Sequence, residues 1–248
     1  MFKLVRTFLI LTLILAASLS AVHAQEENVI TTFEGEMTED EFEFEYTFDA
    51  EEGQVIAALF TDVSESLTIT APTMRLENPA GDIIADSTVN FFSFGNISLF
   101  AEANTTGTYT LTVNRMDEED GTDVGEFTVD IVSVPYLEAG SVVEGSVATG
   151  QPAGYYAVSS STPWGASMVK GEGDMSLGLS VNSIDSQAGT LTELAVASGD
   201  ELTEATLGIF ESEDTYIVRV GEPSTFFGIS FSFEDTSASY TIELVNYE

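Results

Sequence analysis

Alternation of apolar and polar side chains with a period of two dominates this chain. From Glu41 to Phe48 the sequence reads Glu-Phe-Glu-Phe-Glu-Tyr-Thr-Phe. Every aromatic ring therefore falls on one face of an extended strand, and every Glu or Thr falls on the other. The same pattern recurs at residues 109–113, 127–131, 227–233 and 240–244. One face of each strand is predicted to lie in a core and the other in water.

Turn signals separate these strands at short intervals, and no segment shows a sustained helical period with caps. The signals are Glu52-Gly53, Asn78 to Asp82, Thr106-Gly107, Asp120-Gly121, Ala139-Gly140, Gly150 to Pro152 and Gly199-Asp200. Short strands at this spacing predict an all-β fold of antiparallel β-sandwiches. We expect one exception, a turn of helix near Glu201 to Ala205.

The first 24 residues have the features of a secretory signal peptide. Lys3 and Arg6 form a short basic start, a run too short to span a bilayer comfortably follows, and small residues precede Gln25. We place cleavage after Ala24; the alternative, an uncleaved membrane anchor, is disfavoured by the polar residues that interrupt the run. The mature protein is expected to be secreted and extracellular, or periplasmic in a Gram-negative source.

Two stretches of the mature chain resemble each other, which indicates an internal repeat. Residues 98–102 and 108–113 resemble residues 208–212 and 215–220, and a Glu-Gly pair opens each half, at residues 34–35 and 144–145. We therefore predict two tandem sandwiches, at residues 25–135 and 136–248. The boundary is placed near Pro135 with a short connector, because no Gly-, Ser- or Pro-rich tract separates the halves.

Several of these motifs resemble the bacterial pre-peptidase C-terminal domain. They are the aromatic run 44–48 with Gly53, the strand 74–77 leading into Asn78-Pro79-Ala80-Gly81, and Gly107-Thr108-Tyr109-Thr110-Leu111-Thr112-Val113. The second half matches less closely, since its Pro-x-Gly turn is missing. The resemblance implies a secreted, jelly-roll-like sandwich that accompanies extracellular enzymes or surface proteins as a non-catalytic module, in some members binding calcium or a polymeric substrate.

Charge excludes some classes of partner. The chain has 42 Asp and Glu against 6 Lys and Arg, a formal charge of -36. After signal cleavage the cations that remain are Arg75, Arg115, Lys170 and Arg219. Nucleic acids and anionic membranes are bound by neutralising phosphates with cations, so neither is expected as a partner. Solubility, or adaptation to a saline environment, accounts for the bulk of the charge.

Catalysis that uses imidazole or thiol is excluded by the residue inventory. The chain has no Cys, and its one histidine, His23, leaves with the signal peptide. Ser167 and Lys170 match a Ser-x-x-Lys pattern, but that chemistry needs a helix, and this stretch is predicted to be a strand. Paired carboxylates carry no information among 42 acids. We predict that the protein is not an enzyme and assign no catalytic residue.

One loop is the best candidate for a metal site. Residues 117–123 gather five carboxylates around Gly121 between two predicted strands, and oxygen ligands at a tight turn suit calcium. The ligands that we predict are Asp117, Glu119, Asp120 and Asp123. The alternative is an acidic hairpin loop that stays solvated.

The sequence favours a binding or adhesion module at the cell exterior, stabilised by calcium in one version of this hypothesis. The partner would be an extracellular polymer or a surface protein, and no ligand-binding residue can be assigned. Neighbouring aromatic residues at 91–94, 155–156, 164 and 226–227 mark either a binding face or packed structural rings. The alternative is a self-associating subunit of an extracellular filament or surface layer, assembled by edge-strand pairing with Gln25 to Glu41 as the donor strand.

Overall fold

The computed structural model describes residues 28–64, 69, 72–87, 96–116, 120–138, 140–148, 153–198, 202–222 and 236–247. The predicted signal peptide lies outside these residues. Within the described part of the chain, no helix has the length and apolar character needed to cross a membrane. Nearly all of that part is β-strand, and the named strands pair antiparallel throughout, so the predicted all-β fold class is confirmed.

The first eight strands of the described residues form two four-stranded sheets. Sheet A has the order β1-β8-β3-β6, and sheet B has the order β2-β7-β4-β5. We call this region the N-terminal sandwich. Its strands are β1 (Val29–Met37), β2 (Glu43–Ala50), β3 (Val55–Asp62), β4 (Pro72–Glu77), β5 (Ile83–Asp86), β6 (Asn96–Glu102), β7 (Gly107–Arg115) and β8 (Gly125–Val134).

The core of the N-terminal sandwich forms from the apolar positions of these alternating strands. Sheet A contributes Phe60 and Phe127, whose rings stack 5.0 Å apart, and sheet B contributes Phe44, whose ring meets Phe127 edge-on at 5.2 Å. Such pairs add to the free energy gained by removing the rings from water. The Glu and Thr side chains between them stay at the surface, as the period of two predicts.

The last six strands that the structure describes form one continuous sheet. Its order is β12-β11-β13-β10-β14-β9, and we call this region the C-terminal folded sheet. Its strands are β9 (Val142–Ala148), β10 (Gly154–Gly173), β11 (Gly178–Ile184), β12 (Leu191–Ala197), β13 (Glu204–Gly221) and β14 (Ser237–Asn246). Strands β10 and β13 have 20 and 18 residues, and their pairing register shifts between Val158 and Gly165.

The folded sheet turns over on itself at these register shifts. The first half of β10 and β14 are far apart along the sheet, yet the hydroxyls of Tyr156 and Tyr240 are 2.9 Å apart. Trp164 is fully buried at the bend, 4.9 Å from the ring of Phe210. The second region therefore has two layers, but they belong to one bent sheet and not to two separate sheets.

The two regions share one pairing order. In the N-terminal sandwich β8 lies between β1 and β3, and in the folded sheet β14 lies between β9 and the second half of β10. Likewise β7 lies between β2 and β4, and the second half of β13 lies between the first half of β10 and β11. Gly35 is paired with Phe127, and at the corresponding place Gly145 is paired with Tyr240.

A third cluster of apolar side chains joins the two regions, and we call it the junction core. It contains Val55, Ala57, Leu59, Phe100 and Val134 from the outer face of sheet A, and Ala157 and Ile217 from the folded sheet. The ring of Phe100 meets Tyr155 edge-on at 5.1 Å. Because of this packing, strand β3 is buried on both of its faces.

The chain between the two regions is held against β10. The Ala157 amide donates to the Pro135 carbonyl over 2.9 Å, and the Leu137 amide donates to the Ala157 carbonyl over 2.8 Å. The Tyr136 hydroxyl donates to the Gly53 carbonyl over 3.2 Å. These bonds hold residues 135–137 against β10 and Gly53, and the junction core packs the two regions against each other.

Candidate functional site

The loop between β7 and β8 carries the predicted metal ligands and follows a buried cation, Arg115, the last residue of β7. Arg115 is only 3% exposed, and its guanidinium donates to the carbonyls of Thr38 and Glu39 over 3.1 and 3.3 Å. It also lies 4.4 Å from the ring centroid of Phe42. A side chain on Gly121 would begin about 3 Å from Arg115, because its Cβ would lie 3.0 Å from Arg115 Cδ. This end of the sandwich is therefore organised around Arg115.

Two of the four predicted calcium ligands lie in described parts of this loop. Asp120 is exposed and Asp123 is half-buried, whereas Asp117 and Glu119 lie outside the described residues. Among the residues whose positions are described, no group of three or more His, Cys, Asp or Glu side chains could hold a metal ion. The calcium site with all four ligands stays a prediction.

Asp62 is a buried carboxylate that sequence reasoning missed. It is 5% exposed, and its two oxygens accept the Ser64 and Ile69 amides, each over 2.8 Å. These bonds compensate for the cost of burying the side chain and fix the chain that leaves β3. Asp62 therefore has a structural role. The sequence Asp-x-Ser after a strand was the signal that could have revealed it.

The aromatic pair at 155–156 divides between two cores. Tyr155 packs on Phe100 in the junction core, and Tyr156 faces inward to the Tyr240 hydroxyl. Burial raises the pKa of Tyr156 and of Tyr240, so both phenols stay protonated at neutral pH. Trp164 is fully buried, whereas residues 91–94 and 226–227 lie outside the described residues. The described aromatics of this set are therefore packed structural rings.

The Ser-x-x-Lys stretch lies in β10, as expected from the sequence. Ser167 and Lys170 are both strand residues, and the Ser167 hydroxyl lies 3.2 Å from the Thr206 hydroxyl on the neighbouring strand β13. An odd separation along a strand places two side chains on opposite faces. This geometry does not bring the amine of Lys170 to the Ser167 hydroxyl.

The β12 edge is a surface that the sequence did not indicate. Among the described residues, strand β12 ends the folded sheet and pairs on one side only, with β11. Leu194 and Val196 are each 48% exposed there. The strand contains no Lys or Pro, the residues that commonly protect a sheet edge from further pairing. Its main-chain groups and its apolar side chains are together accessible to a partner.

A covered edge in the N-terminal sandwich offers a comparison. The turn at residues 185–190, between β11 and β12, lies across the ends of β5 and β6. The Asp86 amide donates to the Gln187 carbonyl over 2.9 Å, and the Phe100 amide donates to the Gly189 carbonyl over 2.7 Å. Gly189 has φ of 64°, and a Cβ there would lie 2.8 Å from Ala85 and Leu99 atoms. Main-chain carbonyls thus pair with these edges inside the molecule.

Comparisons with known proteins give partial structural matches. No family model matches this chain, and no curated protein matches it. The pre-peptidase C-terminal domain of collagenase from Bacillus anthracis is 18% identical, with 42% of this chain and 89% of that chain covered and a TM-score of 0.31. The periplasmic inhibitor of g-type lysozyme from Aeromonas hydrophila is 14% identical, covering 45% and 95%, with a TM-score of 0.32.

A longer match spans both regions. The N-terminal CBM22-1–CBM22-2 tandem domain of Xyn10C from Paenibacillus barcinonensis is 10% identical, covers 82% of each chain and has a TM-score of 0.26. One structural neighbour is thus a pre-peptidase C-terminal domain, the family that the sequence motifs resemble, at low identity and over part of the chain.

Proposed function

We propose that this protein is an exported, non-catalytic binding module that attaches to an extracellular polymer or to a surface protein. The observation that supports it best is the junction core, in which buried side chains of the two β-regions pack against each other. A preorganised scaffold loses little conformational entropy when it binds, and so more of its contact energy appears as affinity. The β12 edge, where Leu194 and Val196 are each 48% exposed, is available for such contacts.

Two copies of one sandwich, related to the pre-peptidase C-terminal domain, are part of this proposal. The matching pairing order of the two regions supports it, as does the place of the two Glu-Gly pairs. Glu34 precedes the glycine paired with Phe127, and Glu144 precedes the glycine paired with Tyr240. The folded sheet would be the divergent copy, in which two pairs of strands have fused into β10 and β13. The boundary near Pro135 belongs to the same proposal.

The chemistry available after export supports binding over catalysis. Cleavage after Ala24 would leave a chain with neither histidine nor cysteine. An acidic surface with few cations would repel nucleic acid and anionic lipid, which directs the proposal to neutral or basic extracellular partners.

An array experiment tests the proposal. Residues 25–248 would be screened against glycans and extracellular matrix proteins, and hits would be measured by calorimetry in buffers of two ionic strengths. We expect saturable binding to one class of polymer or protein, with no chemical change in the ligand. Turnover of a substrate that a single Asp or Glu substitution abolishes would contradict the proposal.

Calcium at residues 117–123 remains a proposal of its own. The site would use Asp117, Glu119, Asp120 and Asp123, close to the buried charge of Arg115, which opposes a second cation nearby. Calorimetry with calcium would show heat and a raised unfolding temperature, and Asp120→Asn with Asp123→Asn would abolish both. A matched control is Asp49→Asn, which removes an exposed carboxylate outside the loop, near the C-terminal end of β2. Absence of heat would leave the loop as solvated surface.

The alternative proposal is a filament subunit that exchanges its N-terminal segment. Residues 29–37 of that segment pair with β8 in the same chain, and Met37 is 1% exposed in the core. Donation to another copy would require β1 to leave that place, and so we favour the monomeric binding module. Sedimentation of residues 25–248 distinguishes the two: a monomer at all concentrations removes the filament.

A further inference from the structure

The β12 edge has a counterpart in the N-terminal sandwich with the same local geometry. Strand β5 pairs with β4 so that Ala85 opposes Leu76, and β12 pairs with β11 so that Ala195 opposes Val181. The register shifts at the next residue in both pairs, leaving one bulged residue, Ile84 in β5 and Leu194 in β12. The two edge strands therefore carry the same bulge at the same place.

In the part of the chain that the structure describes, the two edges differ in what covers them. In β5, Ala85 is fully buried beneath the turn at residues 185–190, and the Asp86 amide donates to the Gln187 carbonyl. In β12, the residue corresponding to Asp86 is Val196, which is 48% exposed. The molecule itself thus shows what binds an edge of this kind, a main-chain segment that offers carbonyls to the edge amides.

The charge of this chain indicates the chemistry of the segment that would bind the β12 edge. The chain carries a formal charge of -36, and the charged side chain of β12 is Glu193, which is exposed. A strand added beside β12 would place its side chains opposite Glu193, where a cation is favourable and a carboxylate is not. A second copy of this chain would bring the same excess of acid to the edge, which disfavours self-pairing.

We propose that the β12 edge binds an extended, basic segment of a partner protein by β-strand addition. Alternate residues of the segment would be apolar, to cover Leu194 and Val196, and Lys or Arg would approach Glu193. Main-chain hydrogen bonds supply affinity in this mode of recognition, and side-chain pockets and charges supply selectivity. The inference rests on the proposed binding function and assigns that function a surface and a partner.

A synthetic peptide tests the proposal directly. The probe is acetyl-Thr-Lys-Val-Lys-Val-Lys-Thr-amide with a fluorescent label, and its control has Glu in place of each Lys. Anisotropy with residues 25–248 should show saturable binding of the Lys peptide, weakening as salt screens the charges, and no binding of the Glu peptide. In a labelled sample, the amide resonances of residues 191–197 should shift. Equal binding of both peptides, or shifts confined to β9, would overturn the proposal.

Matched variants locate the site. Leu194→Thr with Val196→Thr keeps a strand-forming residue at both positions and should weaken the Lys peptide about tenfold. Val142→Thr is the control, because Val142 is 59% exposed on the opposite edge strand, β9, and the peptide affinity should not change. An unchanged affinity in the double variant, or a dimer of the unmodified chain that this variant dissociates, would exclude the basic segment as the occupant. Polymer binding that survives in the double variant would leave the proposed function standing without this surface.

Discussion

The corresponding outer faces of the two regions differ in what they contact. On sheet A, Leu59 and Phe100 point away from the sandwich and are buried in the junction core. In the folded sheet, the strand pairing places Ser167 at the position that corresponds to Leu59 and Gly208 at the position that corresponds to Phe100. There Tyr247 covers the face: a Cβ on Gly165 or on Gly208 would lie 3.0 Å from atoms of the Tyr247 side chain.

The difference shows that pairing order and docking are separate properties of these sheets. The same arrangement of strands presents an apolar face in one region and small, polar residues in the other. Hydrophobic burial drives association roughly in proportion to apolar area, so only the first face attracts a neighbouring sheet. A head-to-tail contact that repeated would build an open array. The small residues and Tyr247 on the outer face of the folded sheet make that face unsuited to forming the next contact of such an array.

Removing the fully buried ring of Phe100 from the junction core should produce the largest effect. Phe100→Ala removes a fully buried side chain, its edge-on contact with Tyr155 and its packing against the folded sheet. We expect a loss of about 3–5 kcal/mol in the free energy of unfolding, measured by urea denaturation. The control is Val169→Ala, at a residue 50% exposed on the folded sheet, which should change stability by less than about 0.5 kcal/mol. Equal effects would refute the contrast between the two faces.

Two glycines in similar turns separate docking from backbone strain. Gly81 and Gly189 have φ of 85° and 64°, where alanine is unfavourable. A Cβ on Gly81 meets nothing within 4 Å, whereas a Cβ on Gly189 would lie 2.8 Å from Ala85 and Leu99 atoms. Gly81→Ala should lower the free energy of unfolding by about 1 kcal/mol. Gly189→Ala should lower it by about 1–3 kcal/mol more, because the added methyl group pushes the turn away from Ala85 and Leu99. Chemical denaturation of both variants measures the difference; equal losses would mean that the turn contributes no docking energy.

Alternation was enough to predict the strands at residues 109–113, 127–131 and 240–244, whereas the strand predicted at 227–233 lies outside the described residues. Alternation does not tell which face of a strand meets another sheet. Phe100 and Phe210 align in the sequence repeat, yet Phe100 points out to the junction core and Phe210 packs inward on Trp164. The register shift between Trp164 and Gly165 causes this difference. No residue type in the sequence predicts that shift. The expected turn of helix near residues 201–205 is wrong at Ala205, which lies in β13 and pairs with Met168. The calcium site with Asp117, Glu119, Asp120 and Asp123 stays a prediction.

A pair of like charges on sheet A allows a smaller test. Glu36 in β1 lies directly opposite Glu126 in β8, and both are exposed. The corresponding pair in the folded sheet is Ser146 with Ser239, which is neutral. Glu36→Lys should raise the free energy of unfolding by about 0.2–1 kcal/mol because it replaces a repulsive pair with an attractive one.

The control for this prediction is the same substitution, to Lys, at the neutral pair of Ser146 and Ser239. Ser146→Lys has no carboxylate directly opposite it and should stabilise the protein less. Added salt should reduce the gain from Glu36→Lys, since both side chains are in water. A gain that is the same for both substitutions would show that total charge, and not the cross-strand pair, controls stability.

The smallest effect concerns the first residues of the two turns, Asp185 and Asn78. Asp185 accepts the amides of Gln187 and Ala188 over 2.9 and 3.1 Å, and Asn78 accepts two amides of its own turn through a neutral oxygen. The hydrogen bonds from Ala188 and Gln187 lower the pKa of Asp185. Its contribution to stability is therefore present above the ordinary pKa of an Asp and is lost as pH falls through the lowered value.

Asp185→Asn should keep the turn, as Asn78 does, while removing this contribution to the acid dependence of stability. Urea unfolding of the variant and of the unmodified chain should give closely similar free energies at pH 7, and the variant should lose less of its stability between pH 5 and pH 2. The comparison isolates one carboxylate, because every other acid is common to both proteins. An unchanged acid dependence would mean that the turn gains nothing from the charge of Asp185. The neutral oxygen of Asn78 and the carboxylate of Asp185 would then be interchangeable at the start of these turns.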